Sequence, residues 1–168
     1  MSFLTDLQYI LNSDFIWTNS YFEEPTIMKV DVNNDGCQVL VFQLDRQLDG
    51  RYRGGLYPFF NNGNAKVCKA CDYIMFSENE GSFYAIVIEM KKGDNSTSEQ
   101  LKAGLCFVDF VISTVNRVHR KNYTVESRKV SIKEIKRKRK TKIRDISYNA
   151  DSHHTFDQSI FRSRAFLK

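Results

Sequence analysis

The sequence predicts one α/β (α+β) domain spanning residues 1–168, in which a central mixed β-sheet is flanked by helices. A chain of 168 residues is long enough for one hydrophobic core, and aromatic side chains make up 13% of it. Residues 83–91 form a nearly continuous apolar run of strand length, which is typical of a buried strand. Between 101 and 115 apolar residues recur at steps of three and four, which predicts an amphipathic helix ending near His119.

The N-terminal quarter predicts a helix followed by a β-hairpin. Apolar side chains recur with a helical period from Phe3 to Leu11, and Ser2 precedes them as a helix cap. Residues 27–33 then alternate between apolar and polar, and an Asn-Asn-Asp-Gly turn separates them from a second apolar stretch at 37–44. This turn chemistry between two strand-like segments predicts that the segments pair as a hairpin.

The remaining segments carry weaker signals. Residues 45–66 are rich in glycine and aromatic residues and predict a long loop, which in a compact domain is often functional. Strands are predicted at 71–76 and around 130–132, and the polar stretch 93–98 offers a cap for the helix that follows it. Residues 151–168 carry no clear pattern and are treated as a C-terminal extension.

The apolar stretches and the cysteines bear on the compartment. No apolar run approaches the ~20 residues that a membrane span needs, and the first residues do not form a signal peptide. We therefore expect a cytoplasmic protein without a membrane partner, with its cysteines reduced. A zinc site built on the Cys-x-x-Cys pair is the alternative to simple thiols. The four cysteines are Cys37, Cys68, Cys71 and Cys106.

Positive charge is concentrated in one segment. Residues 128–144 contain ten Lys and Arg residues against Glu134 alone, whereas the rest of the chain holds fifteen basic and nineteen acidic residues. A basic segment on a mildly acidic body is the asymmetry expected for contact with a polyanion. The alternative is a solvated edge strand whose lysines prevent pairing with other chains.

Three ionisable residues lie on the two most strand-like segments. Side chains alternate along a strand, so Glu89 and Lys91 project from one face together with Val87, while Ile88 points the other way, toward a core that the following helix can cover. Asp72 lies on the preceding strand, which a short turn makes the antiparallel neighbour. Buried charges are costly unless a partner or a metal compensates them, and two carboxylates suit Mg²⁺ or Mn²⁺.

The order Asp72, Glu89, Met90, Lys91 resembles the PD-(D/E)xK nuclease superfamily, in which an acid on one strand precedes Glu-x-Lys at the end of the next. The resemblance implies a restriction-endonuclease-like core, in which Asp72 and Glu89 bind the metal and Lys91 positions or activates the attacking water. Some members place a glutamine early in the next helix, as Gln100 is here. The motif's proline is replaced by Cys71.

Two further groups of residues are functional candidates. An additional acid from the first helix is often used in the superfamily, and the candidates for it here are Glu24 and Glu23, followed by Asp6 and Asp14. Basic side chains of the charged segment and of the glycine-rich loop are candidates for nucleic-acid contact. These are Lys136, Lys138 and Lys140 on alternate positions, Arg137 and Arg139 between them, and Arg51 and Arg53 in the loop.

The leading functional hypothesis is a nuclease that uses Mg²⁺ or Mn²⁺ to hydrolyse phosphodiester bonds of DNA or RNA. The alternatives are a catalytically inactive module on the same fold that binds nucleic acid, and a protein-interaction domain whose basic segment meets an acidic partner. A homodimer or a larger protein complex is left open. Carboxylates of Asp72 and Glu89 that point apart would favour the alternatives.

Overall fold

The described residues form two β-sheets and two α-helices in a computed structural model of the chain. The structure describes residues 2–46, 60–61, 63–64, 66–93, 96–134 and 145–168. One sheet contains both antiparallel and parallel strands, which confirms the predicted α+β class with a central mixed sheet. No helix within these ranges is long and apolar enough to cross a membrane.

The described helices and strands are numbered in chain order. The helices are α1, Phe3–Ile10, and α2, Ser98–His119. The strands are β1 Ile16–Trp17, β2 Tyr21–Glu24, β3 Met28–Asn33, β4 Gln38–Gln43, β5 Tyr73–Asn79, β6 Ser82–Lys91, β7 Val125–Lys133, β8 His153–Phe156 and β9 Ile160–Arg162. The described part of the larger sheet has the order β1-β4-β5-β6-β7-β8, and that of the smaller sheet has the order β2-β3-β9.

Both faces of the larger sheet are buried, which explains the nearly continuous apolar run of β6. One core lies between the sheet and the two helices and includes Phe3, Val87 and Val108. The other lies between the two sheets and includes Ile86 and Phe161. Alternate residues of β6 therefore enter different cores, so neither face of this strand shows a polar stripe in the sequence.

Helix α2 covers the face of β6 that carries Ala85 and Val87, whereas the sequence pattern predicted the helix on the opposite face. That prediction is wrong, because the opposite face, with Ile86 and Ile88, packs against the smaller sheet instead. A strand that is apolar on both faces gives no indication of which layer covers which face. The correction has a functional consequence, since Glu89 and Lys91 lie on the face that meets α2.

The predicted hairpin between residues 27–33 and 37–44 is also wrong. Strand β3 pairs with β2 and β9, and β4 pairs with β1 and β5 in the other sheet. The turn between them is nevertheless formed, with Asp35 and Gly36 at positive φ. Asn34 accepts a hydrogen bond from Ser163, and Arg162 pairs with Asp35. Contacts with the C-terminal segment thus fix the turn while the strands diverge into separate sheets.

The other predicted helices and strands are confirmed, with shifted ends, whereas most of the loop predicted at 45–66 lies outside the described residues. The side chain of Ser2 accepts a hydrogen bond from the Thr5 amide and caps α1. Strand β5 begins at Tyr73, after Asp72, and β7 extends to both sides of the predicted 130–132. The four cysteines are free thiols.

The C-terminal residues are an integral part of the fold. They add β8 to the larger sheet and β9 to the smaller one. Phe156, Phe161 and Phe166 are buried between the sheets, and the rings of Phe161 and Phe166 stack at a centroid distance of 4.0 Å. Their hydrophobic positions are too widely spaced to form a strand-like or helical pattern, which is why the sequence predicted no element here.

Candidate metal and phosphate site

Asp72 and Glu89 lie side by side on the larger sheet. Tyr73 pairs with Ile88 in the antiparallel β5–β6 ladder, so the next position along the ladder places Asp72 opposite Glu89. Residues directly opposite in an antiparallel pair project from the same face. The Met90 amide also donates a hydrogen bond to Asp72 Oδ2 at 2.5 Å, which holds the Asp72 side chain against β6. The two carboxyl groups therefore do not point apart.

Lys91 completes the group that the sequence predicted. Its Nζ lies 3.8 Å from Glu89 Oε1, and its side chain is 23% exposed, against 5% for that of Glu89. The ammonium group is therefore open to solvent at the end of β6, while the carboxylate beside it is enclosed. A ligand that approaches from solvent would contact Lys91 before it reaches Asp72 and Glu89.

The two carboxyl groups occupy an environment that disfavours negative charge. Burial, followed by repulsion from Glu89, raises the pKa of Asp72 to about 9, against the opposing effect of the Met90 amide. Burial also raises the pKa of Glu89 to about 7, although Lys91 acts in the opposite direction. In the described part of the chain Glu89 Oε2 has no hydrogen-bond partner. An unpartnered buried oxygen costs stability, and a cation at this point would relieve the cost.

Two more acids act on this pair, and one of them was missed in the sequence. Asp45 follows β4 and is hydrogen-bonded through its side chain to Asp72, and its pKa is raised by partial burial and by Glu24. Glu24, the predicted third acid, lies at the end of β2 and raises the pKa values of Asp72 and Glu89. Asp45 was assigned to a loop, but an acid directly after a strand that pairs with β5 was the available signal.

Helix α2 covers the site on the face of the larger sheet, and its contact with β6 is unusually close. Gly104 faces β6 so tightly that a Cβ atom there would overlap Val87 Cγ1 and lie 2.7 Å from Cys71 Sγ. Cys71 is fully buried beneath this contact, and burial together with the charges of Asp72 and Glu89 raises the pKa of its thiol. The cysteine that replaces the proline of the superfamily motif is thus a neutral packing group beside the acids.

The other predicted residues stand further from this group or outside the described residues. Gln100 is half-buried in the first turn of α2, and no hydrogen bond joins it to the acids within the described ranges. Arg128, at the start of the basic segment, is buried and donates a hydrogen bond to the Phe166 carbonyl at 2.6 Å, so it is unavailable to a ligand. Lys136, Arg137, Lys138, Arg139, Lys140, Arg51 and Arg53 lie outside the described residues.

The donor set fits a hard divalent cation in part. Within the described ranges, no three His, Cys, Asp or Glu side chains are arranged to hold a metal ion together. Mg²⁺ in proteins is nevertheless commonly held by one or two carboxylates, with water and substrate phosphate as its other ligands. Two adjacent buried carboxyl groups, one with an unpartnered oxygen, meet that smaller requirement.

Comparison of the chain with models of protein families, with curated proteins and with solved structures gave no match. The resemblance to the PD-(D/E)xK superfamily therefore depends on the residues of this chain alone.

Proposed function

We propose that the protein is a nuclease that uses Mg²⁺ or Mn²⁺ to hydrolyse phosphodiester bonds in DNA or RNA. The observation that carries the proposal is the pairing of two buried carboxyl groups, Asp72 and Glu89, with Lys91 at the open end of the same strand face. Such an arrangement lowers stability and has no packing role that apolar residues would not fill better. Its presence is best explained by chemistry.

Each residue has a role that follows from its position. Asp72 and Glu89 would hold the metal ion, which would polarise the phosphate and lower the pKa of a bound water. Glu89 Oε2, which lacks a hydrogen-bond partner among the described residues, offers the first free ligand atom. Lys91 is exposed enough to meet a phosphate and close enough to Glu89 to stabilise the negative charge that develops beside the metal.

A cleavage assay with matched variants tests the proposal. Labelled single- and double-stranded DNA and RNA are incubated with the purified protein in Mn²⁺, in Mg²⁺ and in EDTA. We expect cleavage with a metal and none in EDTA, and a loss of about 10²- to 10³-fold for Asp72→Asn, Glu89→Gln or Lys91→Met. Glu78→Gln, at the far end of β5, is the matched control and should cleave normally. Normal cleavage by a folded Asp72→Asn protein would remove Asp72 from the mechanism.

A second candidate function is a non-catalytic module that binds nucleic acid. It is favoured by the raised pKa values of Asp72 and Glu89, because a carboxyl group must lose its proton before it can bind a metal ion. The same assay separates the two functions, because this module would bind the labelled strands equally well in Mn²⁺ and in EDTA and would leave them intact.

A further inference from the structure

A cavity of about 310 Å³ opens beside Lys91, where β6, β7 and β8 end and α2 begins. Among the described residues that line it, Leu101 alone is apolar, and the others carry amine, hydroxyl, carboxyl or imidazole groups. The residues that matter for its chemistry are Lys91, Lys129, Lys133, Ser131, Thr155 and His153.

The sheet register places this cavity on the same face of the larger sheet as the carboxylate site. In the parallel β6–β7 ladder Glu89 pairs with Ser131 and Lys91 pairs with Lys133, and in the next ladder Ser131 pairs with Thr155. Paired residues of parallel strands project from the same face. A single row of polar side chains therefore crosses four strands, from the acids near β5 to the hydroxyls of β7 and β8.

A chain of hydrogen bonds fixes the inner wall of the cavity. Thr97 Oγ1 lies 2.6 Å from Ser131 Oγ, and Ser131 Oγ lies 2.8 Å from His153 Nε2. Thr97 and Ser131 are both buried, so this wall is preorganised before any ligand arrives. Because Thr97 is bonded to Ser131, its side chain does not cap α2, and the positive end of the helix dipole faces the same space.

The charges of the residues that line the cavity favour an anionic ligand. Lys91, Lys129 and Lys133 line the cavity together with one acid, Asp151, which leaves a net positive charge among the described lining residues. Burial and the nearby Lys129 lower the pKa of His153, so its imidazole is neutral at physiological pH and can exchange hydrogen bonds with a ligand hydroxyl or oxygen. Amines, hydroxyls and a helix N-terminus are the groups that bind phosphate in proteins.

We propose that this cavity binds a second phosphate group of the substrate strand, next to the phosphate that the proposed nuclease would cleave at Asp72 and Glu89. The inference rests on the proposed function in one respect, namely that the phosphate belongs to a nucleic-acid substrate. Binding of a phosphate group at Lys129 and Ser131 itself needs neither the metal nor cleavage. Both a phosphate at a strand end and an internal phosphodiester have the required chemistry.

Binding of inorganic phosphate in EDTA tests the cavity by itself. We expect saturable shifts of the His153 ring signals in NMR spectra, with those of His119, which lies at the far end of α2, unmoved. Lys129→Gln should weaken the binding about tenfold or more, as expected for loss of one charged hydrogen-bond donor. Lys102→Gln, on the exposed side of α2, is the matched control and should bind as the unchanged protein does.

Oligonucleotides with a 5′-phosphate, a 3′-phosphate or only hydroxyl ends identify the source of the phosphate. Tighter binding of one phosphorylated end, abolished in Lys129→Gln, assigns the cavity to that end. Equal binding of all three, weakened alike by Lys129→Gln, assigns it to the internal backbone. The inference is overturned if phosphate leaves the His153 signals unmoved, or if folded Lys129→Gln binds phosphate and all oligonucleotides normally. Binding without any cleavage would instead overturn the nuclease function and leave the cavity assigned.

Discussion

The carboxyl group of Asp72 is protonated in the metal-free fold at neutral pH, because its pKa is raised to about 9. In the unfolded chain the same group ionises near its ordinary pKa of 3.8. The unfolded state therefore releases a proton that the folded state retains, so this group's contribution to stability falls as the pH rises from about 4 to about 9. Glu89, with a pKa raised to about 7, contributes in the same direction over a shorter interval.

Asp72→Asn should for this reason stabilise the metal-free protein at alkaline pH. The amide keeps an oxygen that can accept the Met90 hydrogen bond, and unlike the carboxyl group it does not have to take up a proton on folding at this pH. We expect a gain on the order of 1 kcal/mol at pH 8 in EDTA, which in a domain of this size raises Tm by about 2–4 °C. Thermal unfolding at pH 5 and pH 8 measures it, and the gain should be smaller at pH 5.

Mg²⁺ supplies the control for this prediction. A ligand that binds only the folded state raises Tm, so Mg²⁺ should stabilise the unchanged protein and leave Asp72→Asn unaffected. A lower Tm for Asp72→Asn at pH 8 would contradict the prediction and show that the carboxyl group supports the fold.

Sequence patterns were sufficient to place those residues of the candidate site whose structural position depends on adjacent parts of the chain. Glu89 and Lys91 end an apolar strand, and Asp72 is joined to that strand by one turn, so alternation and a short connection were sufficient. Asp45 and Ser131 reach the site from strands distant in sequence. Their positions depend on the strand order of the sheet, which local patterns do not specify.

At the scale of secondary-structure elements, the contact between α2 and β6 depends on one missing side chain. Gly104→Ala should improve the helix propensity by about 1 kcal/mol, but its methyl group would overlap Val87 and Cys71. Overpacking of a close-packed core typically costs about 1–3 kcal/mol, so we expect a net loss of stability. Thermal unfolding of the variant measures the change.

A double variant separates the steric effect from other causes. Val87→Ala removes the nearer of the two atoms that the new methyl group would overlap and leaves Cys71 Sγ in place, so Gly104→Ala should cost less in that background than alone. Equal costs in both backgrounds would place the strain at Cys71 or on the helix instead of at Val87.

Helix α2 and strand β6 were predictable because each carries its own signal, a 3.6-residue period in one and a long apolar run in the other. The strands that pair with β3 were not predictable. Its turn residues predicted a hairpin with β4, but the packing of Val30 with Phe22 and Phe161 between the sheets placed β3 beside β2 and β9. Turn chemistry fixes a local reversal of the chain, and burial decides which strands pair.

At the scale of the whole molecule, charge is distributed unevenly along the chain. The excess of basic residues lies in 128–144, and Lys129 and Lys133 in β7, which belong to the first part of that segment, line the cavity beside Lys91. The continuation of the segment from residue 135 to 144 lies outside the described residues. Its contribution to binding is therefore a prediction from sequence.

Neutralising Lys136, Lys138 and Lys140 together should weaken nucleic-acid binding alike for all sequences. Each phosphate group that the protein no longer neutralises should reduce the slope of log K against log salt by ~0.9 for duplex DNA or ~0.7 for single strands. Binding titrations at several salt concentrations measure the slope. Cleavage at saturating substrate should be nearly unchanged, because the chemistry is assigned to β5 and β6. An unchanged slope would make this part of the segment a solvated surface.

The α+β class of the fold could be predicted from the composition and from the helical and strand-like periods of the sequence. The number of β-sheets could not. A second sheet requires the C-terminal β9 to pair with β3 across most of the length of the chain. Phe156, Phe161 and Phe166 stabilise that layer, but their spacing matches neither a helix nor an alternating strand. Pairing between strands so distant in the sequence can be recognised only when the three-dimensional packing is known.

The burial of Cys71 under Gly104 gives the molecule an internal reporter of its own motion. Cys68 and Cys106 are exposed and will react with a thiol reagent at once, whereas the Cys71 thiol is reached only when α2 separates from β6. Its labelling rate thus measures how often the layer above the acids opens, by the same local-opening equilibrium that governs hydrogen exchange. Anything that ties the helix to the sheet, a bound phosphate included, will slow that rate.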